Sequence, residues 1–229
     1  MVALAGPGQG SALAWPEFGQ RFAWRQGEHV TLIGPTGCGK TTLARAILGR
    51  RDYVVVVATK PRDPVVDSFR KAGFRVTRTW PPPPTWQHVV FQPRHQRRDD
   101  LPHVRAAIAA MLDDVYVSGG WCVYVDELWY CTGRLRLGDH LTDLWAQGRA
   151  LGVSLVAAAQ RPRHVPLAAY SQATHFFLWA TGDEGDLARV GEFGRADRRF
   201  VQQTLASFPR HDTLYLHAIE GTAIRTRVA

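Results

Sequence analysis

Residues 34–41 read Gly34-Pro35-Thr36-Gly37-Cys38-Gly39-Lys40-Thr41, which matches the phosphate-loop pattern G-x-x-x-x-G-K-[ST] in full. Residues His29–Ile33 precede this loop and predict a short buried strand, and the residues from Thr41 to Gly49 predict a helix. Small residues let a backbone wrap closely around phosphate oxygens, and the start of a helix favours anions. The pattern in this context therefore predicts a loop that binds a nucleoside triphosphate.

The residues of this loop have separate expected roles. Lys40 is expected to reach the β- and γ-phosphates, and Thr41 is expected to hold Mg²⁺ through its hydroxyl. We interpret Cys38 as a small loop residue rather than as a redox switch. The other residues expected to line the nucleotide are Gly34, Pro35, Thr36, Gly37, Gly39 and Thr42.

Predicted strands and helices alternate along the rest of the chain. The further strands are Tyr53–Ala58, His88–Gln92, Cys122–Val125, Val153–Ala159, His175–Trp179, Thr213–Ala218 and Ala223–Arg227, and the helices are Val65–Gly73, Leu101–Val117, Asp139–Leu151, Glu184–Glu192 and Arg198–Ser207. This alternation predicts an α/β fold, a mainly parallel central sheet flanked by helices. Together with the phosphate loop it resembles the P-loop NTPase (RecA/ASCE-like) type. We expect residues 1–14 to form a flexible tail and residues 15–229 a single domain.

Two carboxylates follow one of the predicted strands. Val123–Val125 is apolar and leads directly into Asp126 and Glu127. Because ligands of parallel sheets bind at the carboxyl ends of the strands, these residues should lie near the phosphate loop. Asp126 fits a carboxylate that supports Mg²⁺, and Glu127 fits a group that polarises an attacking water.

The segment Gln147–Pro162 combines the end of a helix with a buried strand that stops at Gln160. A side-chain amide both donates and accepts hydrogen bonds, so Gln160 can sense a γ-phosphate or hold a water molecule. Arg149 lies at the end of the helix. Taken alone, it is typical of a cation that complements the helix dipole.

Composition narrows the class of protein. The 229 residues include 28 Lys and Arg against 20 Asp and Glu, a formal net charge of +8 that is compatible with a polyanionic partner or with GC-rich codon bias. The three cysteines form no paired framework and no metal-binding spacing, which disfavours disulfide scaffolds and zinc modules. There is no apolar run of about 18 residues and no signal peptide. We therefore expect a soluble cytoplasmic protein.

Three segments together, Gly34–Thr41, Val123–Glu127 and Gln147–Pro162, resemble the FtsK/HerA superfamily of P-loop ATPases. The resemblance covers about residues 28–190 and extends to the later "THFFLWATGDEGDL", where Asp183 takes the usual acidic position. It implies ATP and Mg²⁺ as cofactors, with Lys40 and Glu127 in catalysis and Gln160 as sensor. It also implies that Arg149 is a finger that reaches the γ-phosphate of a neighbouring subunit.

Within that superfamily the chain looks most like the small phage and viral DNA-packaging ATPases, because no membrane anchor, winged helix or nuclease domain is evident. This implies a double-stranded DNA translocase that works as a homo-oligomeric ring, a pentamer or hexamer. A capsid portal or vertex protein would be its partner, in the host cytoplasm or on the virion. A plasmid-mobilisation or chromosome-partition pump and a Zot-like morphogenesis ATPase that binds no DNA are the alternatives. An ABC-type ATPase is disfavoured because no LSGGQ-like stretch is present.

The expected DNA contacts are Arg134 and Arg136, which lie in the loop between Glu127 and the next helix, near aromatic residues. Solvent-facing surface or a subunit interface is the alternative reading of these arginines. Two other basic clusters are possible contacts, and they consist of Arg94, His95, Arg97 and Arg98, and of Arg195, Arg198 and Arg199. Lys60 and Arg62 are expected to face either the nucleotide or a neighbouring subunit.

Overall fold

The computed structural model describes residues 11–94, 100–190 and 196–228. The chain divides into two compact units. We call residues 1–25, 30–40 and 159–229 the phosphate-loop unit, and residues 26–29 and 41–158 the carboxylate unit. Each is described by itself below, and the single domain expected over residues 15–229 stays a prediction.

The described residues contain ten strands and eight α-helices. The strands are β1 (Ser11–Ala12), β2 (His29–Ile33), β3 (Val54–Val57), β4 (Arg75–Thr77), β5 (His88–Phe91), β6 (Cys122–Val125), β7 (Ser154–Ala159), β8 (Ala173–Trp179), β9 (Asp212–His217) and β10 (Ala223–Arg227). The helices are α1 (Trp15–Arg21), α2 (Lys40–Leu48), α3 (Pro64–Lys71), α4 (Leu101–Ser118), α5 (Gly138–Leu151), α6 (Leu167–Ser171), α7 (Glu184–Val190) and α8 (Arg198–Ser207). None of these helices is long and apolar enough to cross a membrane.

In the phosphate-loop unit the strands follow the order β1-β10-β9-β8-β2. The pairs β8–β9 and β9–β10 are antiparallel, and β1 pairs with β10 in parallel. Aromatic rings of α1 and its C-terminal end pack on this sheet, with Phe18 5.1 Å and Phe22 5.6 Å from Tyr215 between ring centroids. The C-terminal strands therefore have an aromatic core of their own.

In the carboxylate unit the order is β7-β6-β3-β5-β4, and every pair is parallel. β3 is buried over its whole length, as expected for a central parallel strand covered on both faces. The helix α4 buries one face at helical spacing; its buried residues are Val104, Ile108, Met111, Leu112 and Val115. The parallel arrangement brings the carboxyl ends of β3 and β6 to the same edge of the sheet.

The predicted α/β fold class with a mainly parallel sheet is confirmed, and the predicted strands agree with the structure to within one or two residues. Four of these strands and helices were not predicted, namely β1, α1, β4 and α6. They are short, and their sequences carry little periodic signal. Ser11–Ala12 pair with β10, so regular structure is present at residues assigned to the tail, while residues 1–10 lie outside the described part. The helix predicted over Glu184–Glu192 is described as far as Val190.

Candidate nucleotide site

The phosphate loop has the backbone geometry that its sequence pattern requires. It begins where β2 ends, and the Gly34 N–H donates to the Ala159 carbonyl at 3.1 Å. Gly37 and Gly39 have φ values of 75° and 116°, in the left-handed region that favours glycine. The helix α2 starts at Lys40, and Thr42 lies in its first turn. The loop therefore combines a tight glycine turn with a helix start, the arrangement that binds phosphate.

The side chain of Lys40 is folded into the loop and is only 9% exposed. Its Nζ donates to the carbonyls of Gly34, at 2.5 Å, and Pro35, at 2.9 Å. Cys38 is also buried, and burial raises the pKa of its thiol although the charge of Lys40 acts in the opposite direction. A thiol in this state is a poor nucleophile, which supports the interpretation of Cys38 as a small loop residue.

In the carboxylate unit, Asp126 contacts the last residue of the phosphate loop. The Thr41 hydroxyl donates to Asp126 Oδ1 at 3.2 Å. The Tyr124 hydroxyl donates to the same oxygen. Burial and the Asp126 charge raise the pKa of Tyr124 well above its ordinary value, so this hydroxyl stays protonated as a donor. Sequence reasoning missed Tyr124, although residues two apart on a strand share a face.

Glu127 points to a different partner from its neighbour. Its Oε1 accepts a hydrogen bond from Lys60 Nζ at 2.5 Å, and the two side chains are 17% and 43% exposed, respectively. Burial alone would lower the pKa of Lys60, but the hydrogen bond and the charge of Glu127 outweigh it and raise that pKa. Lys60 was expected to face the nucleotide or a neighbouring subunit; here it holds the carboxylate of Glu127.

The donor set at Thr41 and Asp126 suits magnesium. Within residues 11–94, 100–190 and 196–228 there is no group of three or more His, Cys, Asp and Glu side chains that could hold a metal by themselves. Mg²⁺ in nucleotide enzymes is commonly held by one or two protein oxygens together with substrate phosphates. A hydroxyl and a carboxylate in contact with each other at the end of a phosphate loop provide such a pair.

Gln160 follows β7 directly and is exposed. In the phosphate-loop unit it lines a cavity of about 440 Å³ together with Gly34, Pro35 and Thr36. The structure thus brings the predicted sensor to the predicted phosphate loop.

The residues after Gln160 form ion pairs with Asp186 of α7 and with Asp183, which directly precedes that helix. Arg161 donates to Asp186 at 2.9 Å and to Asp183 at 2.6 Å, and Arg163 donates to Asp183 at 2.8 Å. The Asp186 side chain is only 4% exposed, so its charge is compensated within the network. Asp183, singled out by the resemblance, therefore anchors the segment that carries Gln160.

Arg149 lies near the end of α5, which stops at Gly152 in a left-handed conformation. The Arg149 side chain is exposed and makes no hydrogen bond or ion pair with any residue that the structure describes. Its backbone is tightly packed, because a Cβ at Gly27 would lie 3.0 Å from the Arg149 Cα. The backbone is thus held in place while the guanidinium stays available.

Arg134 and Arg136 are both exposed, on either side of buried Leu135. The expected loop is instead a π-helical turn over Tyr130–Arg134, and Arg136 follows it with a φ of 51°. Such turns are frequent at functional sites. In the other basic clusters Arg94, Arg198 and Arg199 are exposed, while His95, Arg97, Arg98 and Arg195 lie outside the described residues.

Sequence comparisons give limited matches. A family model described as ABC transporter matches residues 19–60, the part of the chain that contains the phosphate loop. A comparison with curated proteins finds no match. The family match therefore covers the phosphate-loop region and not the rest of the chain.

Solved structures cover most of the chain. The genome packaging NTPase B204 from Sulfolobus turreted icosahedral virus 2 superposes with a TM-score of 0.66 at 14% identity, over 90% of this chain and 98% of that one. The cytoplasmic domain of the Thermomonospora curvata type VII secretion ATPase EccC gives a TM-score of 0.59 at 14% identity, over 90% of this chain and 26% of the other. The pCW3 conjugation coupling protein TcpA gives a TM-score of 0.52 at 15% identity, over 88% of this chain and 60% of TcpA. The resemblance is confirmed at the level of the fold, since the chain shares the fold of these packaging, secretion and coupling ATPases.

Proposed function

We propose that the chain hydrolyses ATP to translocate double-stranded DNA, as a subunit of a phage or viral genome-packaging motor. The observation that carries the ATPase part is the hydrogen bond from Thr41, the last residue of a complete phosphate loop, to Asp126. The packaging part is supported by the fold, since B204 is a genome packaging NTPase that matches over 98% of its own length. The same NTPase has been solved with AMPPCP and with ATP-gammaS.

In the proposed reaction, Lys40 and the loop N–H groups bind the phosphates, while Thr41 and Asp126 hold Mg²⁺. The bound ion supplies charge neutralisation to the phosphate oxygens. Tyr124 orients Asp126 through its hydroxyl. Glu127 accepts the proton of the attacking water, and Lys60 contacts the same carboxylate through Oε1.

Gln160 orients the γ-phosphate or the water, and the ion pairs of Arg161 keep the segment that follows it in place. Arg149 completes the site of a neighbouring copy in a ring of five or six subunits. An arginine supplied in this way stabilises the charge of the transition state. Support for this role comes from the exposure of the guanidinium, which makes no bond within the described part of the chain.

Arg134 and Arg136 are the proposed DNA contacts. Both side chains are exposed while Leu135 and Leu137 between and after them are buried, so the segment is held by its apolar residues and presents its cations outward. Phosphate contacts of this kind neutralise charge without reading sequence. A capsid portal or vertex protein is the proposed docking partner of the ring, in the host cytoplasm or on the virion.

A second function is favoured by one of the comparisons. EccC is a secretion ATPase, and it shares the fold with a TM-score of 0.59. A nucleotide-dependent assembly or secretion role without DNA, as in a Zot-like morphogenesis ATPase, is therefore the main alternative. TcpA, a conjugation coupling protein, supports the related alternative of a plasmid or chromosome pump.

The test is ATP turnover as a function of protein concentration, with and without duplex DNA, together with DNA binding at increasing salt. We expect ATP turnover to rise with subunit assembly and with added DNA, and DNA affinity to fall steeply with salt concentration. Lys40→Ala should abolish turnover, and Lys71→Ala, an exposed lysine at the end of α3, should not. Turnover without any DNA binding at low salt would favour the assembly role, and an unchanged Lys40→Ala variant would refute the ATP site.

A further inference from the structure

The turn between α8 and β9 lies against the phosphate loop within the phosphate-loop unit. A Cβ on Gly37 would lie 2.7 Å from Arg210 Nη2, so the guanidinium occupies the space that a side chain would need there. The ring of His211 donates from Nδ1 to the Cys38 carbonyl at 3.3 Å. Two consecutive residues of the turn therefore contact two consecutive residues of the loop.

This turn is held in place by Asp212 and by two arginines of β10. The Asp212 N–H closes it on the Pro209 carbonyl at 3.1 Å. The Asp212 carboxylate is 5% exposed and accepts hydrogen bonds from Arg225 Nε, at 2.7 Å, and Arg227 Nε, at 2.6 Å. Both arginines belong to β10, so the antiparallel pair β9–β10 holds the turn in position. The placement of Arg210 is thus built into the fold.

Arg210 itself is exposed and has no hydrogen bond or ion pair among the residues the structure describes. Its charge nevertheless acts on the loop. Burial raises the pKa of the Cys38 thiol, and the positive charge of Arg210 opposes this rise in part. Lys40 is the other cation that acts there. Two cations converge on one glycine-rich loop whose N–H groups and helix start already favour anions. A bound anion would compensate the positive charge of these two side chains.

We infer that Arg210 is a nucleotide-binding residue, whose guanidinium contacts the polyphosphate of a nucleotide held in the loop of the same chain. The inference rests on the proposed ATP site at Gly34–Thr41. A guanidinium offers several N–H donors in a planar fork that matches phosphate oxygens. Position 37 then requires glycine for two reasons: its φ is positive, and Arg210 fills the space that a side chain would need. Arg210 acts from within the subunit, in contrast to the role proposed for Arg149.

The experiment compares nucleotide affinity by titration calorimetry in Arg210→Gln, Arg210→Lys and the control Arg78→Gln, an exposed arginine after β4. We expect Arg210→Gln to weaken ATP binding about tenfold, the lower end for hydrogen bonds to a charged group. ADP should be affected less than ATP, and AMP least. Arg210→Lys should recover part of the loss because it keeps the charge, and Arg78→Gln should bind like the wild type. A purely structural change would weaken all three nucleotides alike.

Lys40→Ala separates this inference from the proposed function. If the wild type binds ATP, Lys40→Ala does not, and Arg210→Gln binds as tightly as the wild type, the inference alone is wrong. Equal weakening of ATP and AMP, or lower turnover with unchanged affinity, also overturns it. If the wild type itself does not bind ATP, the proposed site and the inference fall together. Thermal unfolding of each variant shows whether Arg210→Gln is folded, and Arg210→Lys carries the test if it is not.

Discussion

The Nζ of Lys60 lies 2.5 Å from Oε1 of Glu127, while the adjacent carboxylate of Asp126 is bonded to Thr41 and Tyr124. The contact follows from strand register, because β3 and β6 are parallel with Val57 opposite Val125. Lys60 and Glu127 come shortly after these paired residues, at the same edge of the sheet. Two consecutive carboxylates therefore have different partners, and this separation gives each a different expected role.

The Lys60–Glu127 contact should restrain hydrolysis. One oxygen of Glu127, Oε1, already accepts a hydrogen bond from Lys60, so the lysine competes with the attacking water for this carboxylate. We expect Lys60→Gln to raise turnover without DNA by up to about fivefold, equivalent to the ~1 kcal/mol upper range of an exposed ion pair. The measurement is steady-state ATP hydrolysis, with Arg78→Gln as the control for loss of an exposed cation. Reduced turnover in Lys60→Gln would show instead that the lysine holds Glu127 in its working position.

Removal of the Tyr124 hydroxyl should weaken the use of magnesium. Tyr124→Phe keeps the buried ring but leaves Asp126 Oδ1 with one hydroxyl donor instead of two. Loss of a group that orients a metal ligand typically costs 10–100-fold in metal affinity or activity. We expect the Mg²⁺ concentration for half-maximal turnover to rise about tenfold. The control is Tyr116→Phe, which removes an exposed hydroxyl bonded to Gln147 at 2.6 Å. Equal magnesium curves for Tyr124→Phe and the wild type would contradict this prediction.

Stability should fall in mild acid because of His29. The ring is buried in the carboxylate unit, accepts the Leu155 N–H at 3.0 Å on Nδ1 and donates from Nε2 to the Trp145 carbonyl at 3.2 Å. Burial lowers its pKa from 6.5 to about 4. Between these values the unfolded chain binds a proton that the folded chain does not, so the free energy of unfolding decreases as the pH falls. The loss approaches about 3 kcal/mol near pH 4.

Urea unfolding at a series of pH values from 7 to 4.5 measures this effect. His29→Gln should be less stable than the wild type at pH 7, because the amide does not reproduce both buried hydrogen bonds. Its stability should also change less over the acidic range, because the titrating ring is gone. Parallel curves for the two proteins would assign the acid sensitivity to other groups.

Sequence patterns predicted the site residues whose signal lies within one short segment. They missed the residues that reach the site from a distant part of the chain. The loop Gly34–Thr41, the strand before Asp126 and the strand before Gln160 each carry their signal within a few residues. Tyr124 could have been found from its two-residue spacing to Asp126. Arg210 could not, because it meets Gly37 across 173 positions of sequence, counted from residue 37 to residue 210, through a turn set by β9 and β10. Lys60 required the register of β3 and β6, which no motif encodes.

Arg149 offers the sharpest test of assembly. Its side chain is exposed near the end of α5, its backbone is packed against Gly27, and it makes no bond inside the part of the chain that is described. If it acts on the nucleotide of a neighbouring copy, Arg149→Ala should bind ATP normally and hydrolyse it poorly. An arginine in this role contributes roughly 10³–10⁵ in rate. Arg105→Ala serves as the control for loss of another exposed arginine of the carboxylate unit.

Mixing two nearly inactive proteins separates a role across subunits from a role within one. Glu127→Gln subunits should bind ATP and lose at least about a hundredfold in turnover, the scale of a missing general base, while they keep Arg149. Arg149→Ala subunits keep Glu127. In mixed rings some interfaces then pair an intact arginine with an intact carboxylate, so turnover should rise above that of either protein and peak near equal amounts. Exchange of subunits is verified by fluorescence transfer between labelled copies. No recovery at any ratio in verified mixed rings would return Arg149 to the role of a helix-end cation.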